Sequence, residues 1–227
     1  MESVRNAILH SYEGKAFARI IYTESHDEVA NGKARIPEEI SPGQADSYFS
    51  RKRSTLGAAL VLLSPGIPML FQGQEFLEDR WFDDTDPLDW SRVEKHQGIY
   101  LLYRDLIHLR RNMTQATGGL SGPHCDIYHL DTKNKLIALH RWQEGGAGDS
   151  VVVIANFANQ PLYGYPLPLP LAGTWAVRLN SDSSAYSEDF SNVGSAYVVA
   201  ESSENAQPTV ATVDIGPYSL LILSQDP

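Results

Sequence analysis

Near residue 118 the chain changes its pattern, and no single layer of structure accommodates both halves. Before that point, apolar residues recur at helical spacing between short apolar runs. After it, short runs rich in β-branched residues alternate with Gly, Pro, Ser and Asn. The boundary falls at Thr117-Gly118-Gly119 and Ser121-Gly122-Pro123, which divides the chain into 1–118 and 119–227. Charge follows the same division, with 14 basic and 17 acidic side chains before residue 119 against 4 and 11 after it. The net charge of −10 argues against a nucleic-acid backbone or an anionic membrane as partner. A lone cysteine, Cys125, excludes an internal disulfide scaffold. The N-terminus lacks the basic-then-apolar pattern of a signal peptide, and the longest apolar run, Leu56 to Leu63, is too short to span a bilayer. These features give a cytoplasmic expectation.

In the first half Val4, Ala7, Ile8 and Tyr12 predict a helix that ends at Gly14. Arg19–Thr23 reads as a short strand, and residues 24–40 as a polar excursion. Ser41-Pro42-Gly43-Gln44 reads as a helix start, with serine as cap and proline in the first turn. Tyr48, Leu56, Ala59, Leu60 and Leu63 would be the buried side of that helix, and Ser64-Pro65-Gly66 its end. Ile67–Phe71 predicts a second strand, followed by a loop of about 20 residues, long enough to suggest function. A third helix is expected from His96 to Arg111. Helix, strand, helix, strand, helix is an α/β order with parallel strands. Such a sheet leaves its edges unpaired. The expectation is therefore the last part of a (β/α)8 barrel, a fold of about 250 residues when complete.

The second half predicts seven strands in an antiparallel sandwich or barrel. They are Asp126–Leu130, Lys135–Trp142, Val151–Phe157, Thr174–Leu179, Ala196–Ala200, Thr209–Ile215 and Tyr218–Leu223, with residues 131–134 as a hairpin turn.

Two polar segments succeed the predicted parallel strands, where α/β folds bind ligands. Thr23-Glu24-Ser25-His26-Asp27-Glu28-Val29 brings together a histidine and three acids. Carboxylates there can stabilise a developing cation or move protons; the stretch also reads as a capped loop with solvated acids. Gly66 to Phe76 ends in Gln72-Gly73-Gln74-Glu75, which also reads as a tight turn that satisfies its own backbone. The acidic loop Asp79–Asp86 lacks the Gly and the Glu of a calcium loop. Its Trp81 and Phe82 can stack on a sugar ring or pack inward. Neither zinc spacing nor a phosphate-binding glycine loop is present, so no metal and no cofactor is expected. Arg51-Lys52-Arg53 reads as a solvated helix face, and the remaining histidines as scattered structural residues.

Taken together, these segments resemble the alpha-amylase family of glycoside hydrolases and transglycosylases, in its branching-enzyme-like form. Glu24–Val29 is similar to the family's fourth signature region, and Gly66–Phe76 to the region of its eighth barrel strand. Asp86-Pro87-Leu88-Asp89-Trp90, Tyr103-Arg104-Asp105-Leu106 and Leu109-Arg110-Arg111 are similar to the segments after that strand in glucan branching enzymes, and the β-rich tail to the all-β domain that closes them. The resemblance implies that Asp27 is the transition-state-stabilising carboxylate and that His26 hydrogen-bonds a sugar hydroxyl. It places Gln74 and Glu75 near the site, and with Glu24, Glu28 and Trp81 they complete the candidate substrate contacts. It implies an α-glucan substrate such as starch, glycogen or a maltooligosaccharide. The family's nucleophile and acid/base have no counterpart here, so the chain by itself is expected to be inactive. The missing half of the barrel would then be a further partner. A non-catalytic alternative is a carbohydrate-binding or assembly module that uses Tyr163, Tyr165 or Trp175, residues that equally suit a core.

Overall fold

Helix α1 (Glu2–Leu9) opens the chain and strand β1 (Ile20–Ile21) comes next. The structure is a computed structural model that describes residues 1–201 and 209–227. Two short helices, α2 (His26–Val29) and α3 (Ile36–Ile40), precede the long helix α4 (Tyr48–Leu63) and strand β2 (Ile67–Pro68). α5 (Ser91–Lys95) and α6 (Gln97–Arg110) complete the helical half. β1 and β2 pair in parallel, Ile20 opposite Ile67 and Ile21 opposite Pro68. Both strands are shorter than the apolar runs that predict them. Ile67 N–H donates to the Arg19 carbonyl and Met69 N–H to the Ile21 carbonyl, each at 2.9 Å, and beyond Met69 the Gln74 side chain joins the two segments.

Several local expectations need correction. The first helix stops at Leu9, before Tyr12 and Gly14. The polar excursion is not a plain loop, since α2 and α3 lie within it. The Ser41 cap is misplaced by six residues. Gly43 takes a left-handed φ of +72° in a turn closed by Gln44 N–H donating to the Ser41 carbonyl at 2.9 Å. The helix starts afterwards, and Ser47 Oγ accepts from Ser50 N–H at 3.3 Å. Arg51-Lys52-Arg53 is not a solvated face, because Lys52 is fully buried.

The second half carries eight strands, β3 (His124–Asp131), β4 (Leu136–Trp142), β5 (Val151–Asn156), β6 (Leu162–Pro168), β7 (Gly173–Asn180), β8 (Tyr197–Ala200), β9 (Val210–Ile215) and β10 (Ser219–Ser224). Sequence reasoning missed β6, because Gly164, Pro166 and Pro168 make it read as a linker. It survives because it belongs to a two-stranded antiparallel sheet with β9, where proline removes few ladder bonds. The other six strands form one sheet in the order β3-β4-β5-β10-β7-β8.

That sheet is covered on both faces. Val151, Val153, Ala155, Leu220 and Ile222 share one core with Leu56, Leu62, Leu102 and Leu106 of α4 and α6. The alternate residues Val152, Ile154, Leu221 and Leu223 share a second core with Leu167, Ala211, Val213 and Ile215 of the β6–β9 layer. Double coverage explains why β5 and β10 are continuously buried rather than alternating. Among the described residues no helix is long and apolar enough to cross a membrane.

Candidate functional site

Parallel pairing puts the C-terminal ends of β1 and β2 at one edge, so the two polar segments emerge side by side. Gln74 joins them. Its Nε2 donates to Thr23 Oγ1 at 2.6 Å, and its Oε1 accepts from the Phe71 N–H at 2.6 Å. Gly73 permits the turn with φ of +86°, and a Cβ there would lie 2.7 Å from Glu78 Cβ.

Glu24 lies beneath this edge, 1% exposed. Its Oε2 accepts from Arg35 Nε at 2.9 Å, and its Oε1 accepts from the Ile36 N–H at 2.7 Å. Arg35 also donates to the Gln72 carbonyl at 2.9 Å and lies 5.1 Å from the Phe71 ring centroid. Both carboxylate oxygens of Glu24 thus serve the fold, which places it as a support rather than a surface contact. Sequence reasoning missed Arg35. A signal did exist, since residues 24–40 contain only two cations, Lys33 and Arg35, and a buried carboxylate needs one.

His26 and Asp27 open the helix α2 and face outward, with side chains 66% and 84% exposed. Their side chains meet at 3.2 Å between Nε2 and Oδ1. Lys33 Nζ donates to the Asp27 carbonyl at 3.0 Å, and Glu28 is exposed beside them. Glu75 is half-buried and Gln74 buried. The site therefore sorts the candidates into an outer group (His26, Asp27, Glu28) and an inner frame (Glu24, Gln74).

The loop that carries Trp81 is fastened to the same helix. Phe82 N–H donates to the Val29 carbonyl at 2.7 Å, and Phe71 packs edge-on against Phe82 at 5.3 Å. Trp81 stays 45% exposed. Behind the loop, Arg92 donates to Asp79 and to Asp46, each at 2.8 Å. Asp46 also receives Lys95 and His96. His96 is thus not an idle scattered histidine but part of the brace of this loop. Burial alone would raise the Asp46 carboxyl; hydrogen bonds from Lys95 and His96 and the charge of Arg92 outweigh it and bring it to about 2. Backbone and side-chain donors of Asn134 likewise bring Asp131 to about 2.

A carboxylate whose folded value is depressed stabilises the fold above its unfolded value and loses that contribution as pH falls through the folded one. Stability should therefore decline as the pH falls from about 4 towards 2. An Asp46→Asn variant should be less stable at neutral pH and show a shallower acid limb. Acid titrations monitored by circular dichroism check both.

Of the aromatics offered as a β-domain binding face, Trp175 is fully buried and donates Nε1–H to the Leu171 carbonyl at 3.0 Å. Tyr165 is half-buried, its hydroxyl held between Asp131 and His129. Tyr163 alone of the three is open, 68% exposed.

Known proteins share both the pattern and the shape. Residues 127–226 match the family described as alpha amylase, C-terminal all-beta domain. The 1,4-alpha-glucan branching enzyme of Pseudomonas fluorescens is 32% identical over 213 residues, covering 92% of this chain and 28% of that protein. The branching enzyme of Rhodospirillum rubrum is 33% identical over 211 residues, covering 89% and 27%. The chain thus spans little more than a quarter of the curated relatives it matches. In shape, the pullulanase of Anoxybacillus sp. LM18-11 complexed with maltotetraose superposes with a TM-score of 0.66 at 23% identity, over 99% of this chain and 30% of that one. The Bacillus subtilis type I pullulanase complexed with maltose gives 0.64 at 20% identity, over 100% and 31%.

Proposed function

We propose, on the premise that the chain belongs to the alpha-amylase family as a counterpart of its C-terminal portion, that it is part of an enzyme that cleaves α-1,4-glucans with retention of configuration. In this reading residues 1–118 supply the last strands and helices of a (β/α)8 barrel, and residues 119–227 form the all-β domain beside it. The observation that carries it is the parallel β1–β2 pair with His26 and Asp27 at its C-terminal edge. Ile20 and Ile67 are 59% and 51% exposed, as expected of a sheet fragment that continues into further strands.

The chemistry is that which the family resemblance implies. A carboxylate nucleophile attacks the anomeric carbon while a carboxylic acid protonates the departing glycosidic oxygen. A covalent glycosyl-enzyme results, and the 6-hydroxyl of an acceptor chain or a water then displaces the carboxylate. Positive charge grows on the sugar ring in both transition states. Asp27 would stabilise that charge, and His26 would hold a sugar hydroxyl in the same subsite. Glu24 would act beneath them as a support, while Glu28, Gln74, Glu75 and Trp81 would complete the surroundings of the substrate.

The two bond-breaking groups sit roughly 5 Å apart in such enzymes. Asp27, whose side chain lies 3.2 Å from His26, is in this reading not a member of that couple, and the resemblance gives neither member a counterpart among these residues. The purified chain should therefore neither release reducing ends from glycogen or maltoheptaose nor alter iodine staining of amylose. Sustained turnover by residues 1–227 would overturn the division of roles. A second reading, in which the β domain binds glucan without catalysis, rests on Tyr163. It predicts that Tyr163→Ala abolishes retention of the chain on insoluble starch.

A further inference from the structure

The connection from α2 to α3 holds the only Asn-Gly dipeptide of the chain, Asn31-Gly32, and the function proposed above makes no use of it. We propose that Asn31 is a site of spontaneous covalent modification, its side-chain amide converting to aspartate and isoaspartate beside the strand-end site. This chemistry belongs to the chain itself and is independent of what that site binds.

An asparagine is vulnerable where the next residue leaves its own amide nitrogen unhindered and where neither group is engaged elsewhere. Gly32 has no side chain, and a Cβ there would meet nothing within 4 Å. Residues 31–34 are all exposed. Among the described residues, neither the Asn31 side-chain amide nor the Gly32 N–H makes a hydrogen bond. Other asparagines differ on both counts. Asn112, Asn134, Asn156 and Asn180 use their side chains in hydrogen bonds, and each precedes a residue with a side chain.

The turn is lightly closed. Asn31 and Gly32 take left-handed φ values of +58° and +79°, and Lys33 N–H donates to the Ala30 carbonyl at 3.2 Å. A type I′ turn sets ψ of its first central residue at about +30°, which holds the next nitrogen on the far side from Cβ. Ring closure therefore needs the turn to open. The tip lies between two fixed points, Ala30 bridged to Phe82 and Arg35 buried against Glu24, so opening is a local event.

On opening, the Gly32 nitrogen gives its proton to hydroxide and attacks the Asn31 Cγ. The N–Cγ bond forms and the Cγ–Nδ2 bond breaks. The departing nitrogen takes a proton from water and leaves as ammonia, which restores the hydroxide. Water then opens the cyclic imide. Attack at the side-chain carbonyl leaves aspartate, and attack at the main-chain carbonyl leaves isoaspartate, with one more methylene in the main chain. Water is consumed, ammonia is released, and nothing is oxidised or reduced. Either product adds a negative charge close to Lys33, whose Nζ donates to the Asp27 carbonyl at 3.0 Å. The new carboxylate competes for that ammonium, which weakens the tie between the turn and the helix that carries His26 and Asp27.

The test is prolonged incubation of the folded full chain at mildly alkaline pH, followed by trypsin digestion and tandem mass spectrometry. The tryptic peptide 20–33 contains Asn31 as its only asparagine, so the amide-to-acid mass gain in it reports this site alone. Conversion should be several-fold faster at Asn31 than at Asn112, Asn134, Asn156 or Asn180, and the peptide should resolve into two acidic products. In Asn31→Gln, where ring closure would need a larger and slower-forming ring, the acidic products of this peptide should be lost. An unchanged thermal melt shows that this variant is folded. Asn31 persisting in the folded chain while it converts in the chain unfolded by urea would overturn the proposal, because the turn would then protect the amide. Earlier conversion at any of the four other asparagines would overturn it as well.

Discussion

Replacing Asp182 with alanine should cost about 3–5 kcal/mol of stability, the range for breaking a buried ion pair from one side. Asp182 and Lys52 are both fully buried and meet at 2.6 Å between Oδ1 and Nζ. Burial pulls the Lys52 ammonium below its usual range, while the hydrogen bond and charge of Asp182 oppose that fall. The carboxylate does more than hold the lysine. Its Oδ2 accepts from the Ser191 hydroxyl and the Val193 N–H, each at 3.0 Å, and its Oδ1 from the Ser191 N–H at 3.3 Å. Alanine would strand a buried ammonium and free the loop between β7 and β8 at once. Lys52→Met should cost less, because the carboxylate keeps its three other donors. It would also fill the space beside the Phe190 ring, 4.4 Å from the ammonium. Urea melts of the two variants should therefore differ, with Asp182→Ala the less stable; equal midpoints would contradict this ranking.

Arg141→Ala should be comparably severe, about 3–5 kcal/mol, because it combines a cavity with several orphaned acceptors. The Arg141 side chain is wholly buried on β4 without a carboxylate partner in hydrogen-bond reach. It donates to the carbonyls of His124 at 3.1 Å, Leu120 at 3.1 Å, Gly122 at 2.7 Å and to that of Leu63. Arg110 donates to Leu62, Ser64 and Gly66, and Arg19 to Pro65. Arg141 and Arg110 thus take the Leu63 and Leu62 carbonyls that the end of α4 leaves free, where the helix dipole is negative, and Arg110 and Arg19 take those of the turn that follows. Burial brings Arg141 down to about 10, with Arg110 and Arg19 adding to the fall. Arg141→Lys should recover only part of the loss. One ammonium cannot reach carbonyls spread from residue 63 to residue 124 in the way a planar fork does. Thermal melts of Arg141→Ala and Arg141→Lys read the difference directly, and full rescue by lysine would refute the multi-carbonyl role.

Much of the layout was legible because it rests on local rules. Alternating or continuous β-branched runs gave most strands of the β half, since burial on one or two faces writes itself into a strand's sequence. The helical stripe of Ile99, Leu102, Leu106 and Leu109 gave α6 for the same reason. The segment holding His26 and Asp27 was readable as a strand end succeeded by chemistry-bearing residues. β6 was not legible, because its glycine and prolines reflect its sheet context rather than local propensity. The Ser41 cap failed because two serines offer equivalent capping chemistry, and Gly43 decides between them only through its backbone angle.

By itself the sequence determined the change from helical to β-rich pattern and the parallel order of β1 and β2 with polar segments after them, which derive from hydrophobic period and turn chemistry. Tertiary structure alone decided which charged residues leave the surface. Lys52 was hidden by Asp182, 130 positions away, Glu24 became a support through Arg35, and Arg141 found carbonyls in both halves. A buried charge is tolerated only where its partners converge in space, and nothing in local spacing records that convergence.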